Sequence, residues 1–124
     1  MQISTLLSYA GGFKDAVEEI KQLEEVGLDI VWVPEAYSFD APSAMGYLAA
    51  STQRVVIASG ILPIYSRTPT LLAMTAAGID YLSEGRCMLG LGASGPQVIE
   101  GFHGVAYEAP VGRMKEIVEI CRMV

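Results

Sequence analysis

The chain has 124 residues, of which 52% are hydrophobic and 18% are charged, and its formal net charge is −6. This length allows a single domain, residues 1–124, with a sizeable core, and the composition excludes a disordered chain. The acidic balance argues against a nucleic-acid partner, and no apolar run approaches the roughly 18 residues that a membrane-spanning helix needs.

The N-terminus and the cysteines predict a cytoplasmic protein. Met1–Leu7 reads as a strand, with no basic region and no cleavage signature, so no signal peptide is expected. Cys87 and Cys121 lack the spacing of metal ligands, which fits a reducing compartment and predicts no metal site. Because Cys87 falls in a predicted strand, we interpret it as a small buried hydrophobic residue.

The first predicted unit joins a strand at Ile3–Leu7 to a helix at Lys14–Val26. Apolar residues recur at helical spacing from Val17 to Leu23, with acidic residues on the opposite side. Gly27 follows directly, at the position where a left-handed residue commonly ends a helix.

Three further units repeat this alternation. The predicted strands are Ile30–Val33, Val55–Ala58 and Cys87–Leu89 with Leu91, and the predicted helices are Pro42–Thr52, Thr68–Ser83 and residues 112–124. Strands that are apolar on both faces are typical of parallel sheets covered by helices. The order βαβαβαβα is compatible with an open doubly wound sheet or with half of a (β/α)8 barrel. In both folds, ligands bind beyond the C-terminal ends of the strands.

The segments that follow the strands therefore hold the candidate functional residues. Glu35, Tyr37 and Phe39 follow the second strand, and Tyr65 lies in the segment after the third. The only histidine, His103, has no nucleophile pattern near it, which argues against a hydrolase triad. An aromatic and apolar rim with exposed backbone amides suits a planar cofactor that itself carries the chemistry. Tyr37, Phe39 and Tyr65 either line a substrate pocket or seal the rim.

The segment after the fourth strand is rich in glycine and leads into a turn of helix that starts at Pro96. Glycine allows close approach of the backbone to a ligand, and a helix N-terminus favours an anion. Residues 90–95 also match the dinucleotide pattern G-x-G-x-x-G. That pattern normally follows the first strand, with an acidic residue after the next one, so a nicotinamide-binding fold is the less favoured alternative.

Several motifs together resemble the luciferase-like flavin or deazaflavin (coenzyme F420) oxidoreductases. They are Val31–Tyr37, Ala58–Ile61, Arg67–Pro69, Asp80–Arg86 and Leu89–Gln97, and the likeness extends along the whole chain. The resemblance implies an α/β fold that is the N-terminal half of a TIM (β/α)8 barrel, with four βα units and parallel strands. It also implies coenzyme F420 as the cofactor, with FMN as the alternative.

The resemblance assigns cofactor-binding roles to two segments. A non-prolyl cis peptide at Gly60-Ile61 is expected to back the central ring of the cofactor, and Gly92, Ala93 and Ser94 are expected to contact its ribityl and phosphate side.

Glu35 is the candidate catalytic residue. It falls where related sugar-phosphate dehydrogenases carry an acidic residue followed by a catalytic histidine. This chain has Ala36 at the second position, so that mechanism does not transfer directly. Glu35 is then either a polar contact near the ring or substrate, or a solvated or ion-paired acid of the rim.

The implied function is hydride transfer to or from a small organic substrate, with FMN-dependent monooxygenation as an alternative. A closed (β/α)8 barrel takes roughly 250 residues, so four units make half of one. We therefore expect either a homo-oligomer or a C-terminal half that completes the barrel. A catalytically silent half-barrel that acts only in assembly is a further alternative.

Overall fold

The computed structural model describes residues 1–9 and 11–124. Its strands are β1 (Ser4–Leu6), β2 (Ile30–Val33), β3 (Val56–Ser59), β4 (Leu62–Pro63), β5 (Cys87–Met88) and β6 (Leu91–Gly92). Its helices are α1 (Phe13–Glu25), α2 (Ala41–Ser51), α3 (Pro69–Leu82), α4 (Pro96–Ile99) and α5 (Pro110–Met123). Within the described ranges, no helix is long and apolar enough to cross a membrane.

The strands form a parallel sheet in the order β1-β2-β3-β5, and a short parallel pair, β4-β6, lies beyond it. Strands that follow one another along the chain are therefore neighbours in the sheet, and a helix lies between each consecutive pair. This order is that of a barrel, because a doubly wound sheet would reverse its strand order at a switch point. The chain is the N-terminal half of a (β/α)8 barrel, as predicted.

The core lies between the outer face of the sheet and the helices. Val31 and Ile57 are completely buried there, against helix residues that include Val17, Leu48 and Leu72. Helices α2 and α3 begin within one residue of their predicted starts, and each has a capping side chain and a proline in the first turn.

The opposite face of the sheet, which we call the inner face, is the side that would line a barrel. The strand register places Leu6, Trp32, Ala58 and Met88 in one row on this face. Leu6 is 60% exposed and Met88 is 39% exposed. The chain thus leaves the apolar lining of a barrel partly uncovered.

A polar cluster fixes the N-terminal ends of the strands. Buried Glu24 accepts hydrogen bonds from the backbone N–H groups of Gln53 (3.0 Å), Arg54 (2.5 Å) and Val55 (2.7 Å). Arg86 donates to the carbonyl oxygen of Val55 at 2.9 Å. Burial alone would raise the pKa of the Glu24 carboxyl, but the backbone donors and the nearby Arg86 charge hold it below its ordinary value.

The fourth predicted strand is divided in the structure into β5 and β6. The ladder is interrupted at Gly90, whose N–H and carbonyl groups both bond to the side chain of Ser59. Cys87, at the start of β5, is only half-buried, and desolvation together with the charge of Asp80 raises the pKa of its thiol to about 11.

Candidate functional site

The C-terminal end of β3 carries the non-prolyl cis peptide bond Gly60-Ile61, at the position that the resemblance implies. The N–H group of Gly60 donates to the carbonyl oxygen of Val33 at 2.8 Å, which keeps this segment against β2. A Cβ atom at position 60 would lie 3.2 Å from the Cβ atom of Trp32. Residue 60 therefore rests directly on the tryptophan of the neighbouring strand.

Two glycines of the next strand pair pack against this segment. A Cβ atom at Gly90 would lie 2.0 Å from the carbonyl oxygen of Ser59, a distance that no side chain tolerates. At Gly92, a Cβ atom would lie 2.7 Å from the side chain of Ile61. The structure thus brings the Gly60-Ile61 and Gly92 segments together at one end of the sheet, which we call the mouth.

A hydrogen bond from Tyr107 stabilises the loop that follows β6. Ser94 has a left-handed backbone with φ of 56°, and its carbonyl oxygen accepts a hydrogen bond from the Tyr107 hydroxyl at 3.3 Å. The N–H group of Tyr107 in turn donates to the Glu100 carboxylate at 3.0 Å. These contacts, which the sequence patterns did not indicate, fix the backbone next to Gly92 and Ala93.

Tyr65 is buried, with 5% of its surface exposed. Its hydroxyl donates to the carbonyl oxygen of Glu108 at 2.6 Å, and the Arg113 guanidinium lies 4.7 Å from the centre of its ring. The ring also packs against Tyr107, with 5.1 Å between the ring centroids. This burial favours the interpretation that Tyr65 seals the rim and does not support its assignment to a substrate pocket.

Glu35 forms a two-point ion pair with Arg67. The guanidinium donates to both carboxylate oxygens, at 2.5 and 2.9 Å, and the N–H group of Ala41 donates to one of them at 2.6 Å. Only 9% of the Glu35 side chain and 13% of the Arg67 side chain are exposed. The pair therefore joins the start of α2 to the segment before α3. The sequence analysis allowed for an ion-paired Glu35 but did not identify Arg67 as the partner, although Arg67 directly precedes a helix cap on the same rim.

The pair borders a cavity of about 390 Å³, which we call the rim cavity. Its lining consists of Glu35, Ala36, Ser38, Phe39, Asp40, Ser66, Arg67, Leu71, Phe102 and His103. Tyr37, 65% exposed, packs edge-on against Phe102 with a centroid distance of 5.4 Å. The rim cavity thus brings Glu35 and Phe39 together, but its lining does not include Gly60, Ile61 or Gly92.

The chemistry of the mouth fits an organic cofactor. Within residues 1–9 and 11–124, no three His, Cys, Asp or Glu side chains are grouped so that they could hold a metal ion. The segments at residues 60–61 and 92–94 each begin with glycine, and Gly90 and Gly92 leave no space for a Cβ atom against Ser59 and Ile61. Such a surface can support a flat ring and accept a polar tail through backbone hydrogen bonds.

The fold and this mouth define a β/α half-barrel in which two glycine-containing segments meet at the C-terminal ends of the strands. The chain belongs to the luciferase-like monooxygenase family, whose model it matches over residues 1–124.

Individual relatives agree with this assignment. The chain is 38% identical over 126 residues to the Mycobacterium tuberculosis protein Rv3520c, which is provisionally named a coenzyme F420-dependent oxidoreductase; the match covers 100% of this chain and 36% of the relative. It is 33% identical over 104 residues to the 5,10-methylenetetrahydromethanopterin reductase of Archaeoglobus fulgidus, covering 83% of this chain and 31% of the reductase.

A solved structure of an F420-dependent secondary alcohol dehydrogenase, in complex with an F420-acetone adduct, superimposes with a TM-score of 0.84. That match has 26% identity and covers 98% of this chain and 41% of the dehydrogenase. The chain thus spans well under half the length of each of these proteins.

Proposed function

We propose that the chain forms the N-terminal half of an F420-dependent oxidoreductase that transfers hydride to or from a small organic substrate. The observation that carries this proposal is the close packing of Gly60-Ile61 against Gly92 at the mouth. The similarity to proteins named as F420-dependent supports the choice of cofactor.

In this proposal, Gly60 and Ile61 lie behind the central ring of the deazaflavin, and Gly92, Ala93 and Ser94 offer backbone groups to its ribityl and phosphate side. The bound deazaflavin supplies two-electron hydride chemistry. The chain orients the ring, excludes water from one side of it and fixes the surrounding backbone through contacts such as that between Tyr107 and Ser94.

The rim cavity is the proposed route for the substrate. Tyr37 and Phe39 present exposed aromatic surface there, and the Glu35–Arg67 pair presents a fixed carboxylate and guanidinium. Because both oxygens of Glu35 already accept hydrogen bonds, its proposed role is a polar contact to substrate or ring. Proton transfer by this carboxylate would require the ion pair to open.

FMN-dependent monooxygenation is the second candidate, and the description of the matched family favours it. In either case, we propose that four more β/α units complete the barrel, carried by a C-terminal continuation or by a second copy of the chain. The uncovered inner face at Leu6 and Met88 supports this need. Without such units, a silent half-barrel remains the alternative.

Cofactor binding tests the proposal directly. Titration of the chain into coenzyme F420 is expected to change the fluorescence of F420 in a saturable way. A separate titration into FMN, followed by FMN fluorescence, tests the alternative cofactor. Gly92→Ala should weaken F420 binding, since the new methyl group would lie 2.7 Å from the Ile61 side chain and force it out of its place behind the proposed ring. Gly112→Ala, where a Cβ atom meets nothing within 4 Å, is the matched control. Binding of FMN alone would favour monooxygenation, and binding of neither would favour the silent half-barrel.

A further inference from the structure

Four aromatic rings cluster beside the rim cavity: Phe13 on α1, Tyr47 on α2, and Tyr9 and Phe39 in the segments that precede these helices. Tyr9 lies 6.0 Å from Phe13 and 6.1 Å from Phe39, and Phe13 lies 5.4 Å from Tyr47, all measured between ring centroids. The last two contacts are nearly perpendicular, with interplanar angles of 82° and 70°. These rings border a second cavity of about 450 Å³, which we call the aromatic cavity.

The charge on this cavity is negative. Among the residues that the structure describes, its other lining residues are Asp40, Ser43 and Ala44, so the charged side chain that borders it is a carboxylate. Asp40 accepts hydrogen bonds from the N–H and hydroxyl groups of Ser43, and within the described part of the chain it makes no salt bridge. The N-terminus of α2 offsets part of its charge but leaves the carboxylate at the cavity edge.

The hydrogen bonding and the pKa of the Tyr9 hydroxyl reflect the nearby carboxylates and the burial of the ring. It donates to the carbonyl oxygen of Pro34 at 3.3 Å. Burial, followed by the charges of Glu35 and Asp40, raises its pKa above the ordinary value. The Glu35 charge is balanced by Arg67, so Asp40 is the carboxylate available to a ligand.

The exposure of two of the rings is not explained by core packing. Phe39 is 70% exposed and Tyr47 is 44% exposed, whereas Phe13 packs partly against the core. Exposed aromatic side chains grouped around a concavity are typical of a binding site. Their electron-rich faces attract cations, and a neighbouring carboxylate adds to that attraction.

We propose that the aromatic cavity binds an organic cation, a quaternary or tertiary ammonium group whose substituents contact the rings. The Asp40 carboxylate faces the positive charge, and anionic ligands are disfavoured by the same group. Phe39 and Asp40 also border the rim cavity, so a bound cation lies beside the proposed substrate route. The site goes beyond the oxidoreductase function and requires none of the residues assigned to the cofactor.

Binding of choline, compared with its uncharged isostere 3,3-dimethylbutanol, tests the proposal on the 124-residue chain without cofactor. Amide NMR spectra recorded during each titration are expected to show saturable shifts centred on residues 39–47. Choline should bind about three- to tenfold more tightly than the isostere, because only the cation gains the electrostatic attraction. Equal affinities, a preference for the isostere, or no binding of choline would overturn the proposal.

Variants separate charge from shape. Asp40→Asn removes the charge but keeps a good helix cap, and Phe39→Leu removes an exposed ring but keeps apolar surface. Each is expected to weaken choline binding several-fold and to leave isostere binding nearly unchanged. Tyr81→Leu, at an 86% exposed position of α3 outside the cavity, should have no effect. Choline affinity that is unchanged in Asp40→Asn, with an unaltered amide spectrum, would contradict the assignment.

Failure of this proposal is distinguishable from failure of the proposed function, because neither titration contains a redox cofactor. A chain that binds F420 but not choline rejects only the cation site. Self-association that shields the amides of residues 39–47 and abolishes choline binding would assign the aromatic cavity to a contact between copies, and would also reject the cation site.

Discussion

At the scale of single residues, Gly90 is the least replaceable position in the mouth. Gly90→Ala would place a methyl carbon 2.0 Å from the carbonyl oxygen of Ser59, so the two strands must separate. We expect the free energy of unfolding to fall by about 2–4 kcal/mol. Gly78→Ala, in an open position of α3, should instead raise it by about 0.5–1 kcal/mol. Urea denaturation measures both, and equal effects would refute the packing argument.

Individual contacts were the least predictable part of the site. The cis peptide at Gly60-Ile61 was implied by family resemblance, because no local pattern distinguishes it from an ordinary turn. The Glu35–Arg67 pair joins residues 32 positions apart, and only the fold brings them together. The sequence left open that Tyr65 lines a substrate pocket, because Arg113 of α5, which covers its ring, is 48 positions away along the chain.

At the scale of elements, Glu24 links α1 to the start of β3. The carboxyl has a lowered pKa in the folded chain, so its contribution to stability is fully present above the unfolded value of about 4.5. It is lost as the pH falls through the folded pKa. Glu24→Gln should lower the free energy of unfolding by about 1–3 kcal/mol at pH 7 and by much less in acid. Denaturation across this range measures the difference, with exposed Glu25→Gln as the control. A pH-independent difference would contradict the linkage.

Element positions followed from the sequence where local signals were strong. The predicted helix starts at Pro42 and Thr68 lie within one residue of the observed starts of α2 and α3, and each helix has a proline in its first turn. The break between β5 and β6 was not predictable, because it depends on Ser59 bonding to a glycine 31 residues later. A run of apolar residues gives no sign of such an interruption.

At the scale of the molecule, parallel strands were predictable from their continuous apolar character, while the choice between barrel and open sheet was not. The hydrophobic pattern of strands and helices is the same in a barrel and in an open sheet. The strand order β1-β2-β3-β5 in the structure distinguishes the two folds, in favour of the barrel. The position of the mouth follows from either fold, since both bind ligands at the C-terminal ends of the strands. The aromatic cavity was missed because its rings come from separate units, at Tyr9, Phe13, Phe39 and Tyr47.

The uncovered inner face leads to a prediction about assembly. As a 124-residue polypeptide, the chain presents Leu6 on the unpaired edge strand β1, and we expect concentration-dependent self-association. Leu6→Lys should reduce it, because closing the barrel would bury the new charge. Val26→Lys adds the same charge at an 81% exposed position after α1 and is expected to have no effect. Size-exclusion chromatography with light scattering measures the mass. A monomer at all concentrations, or equal effects of both variants, would contradict association through the inner face.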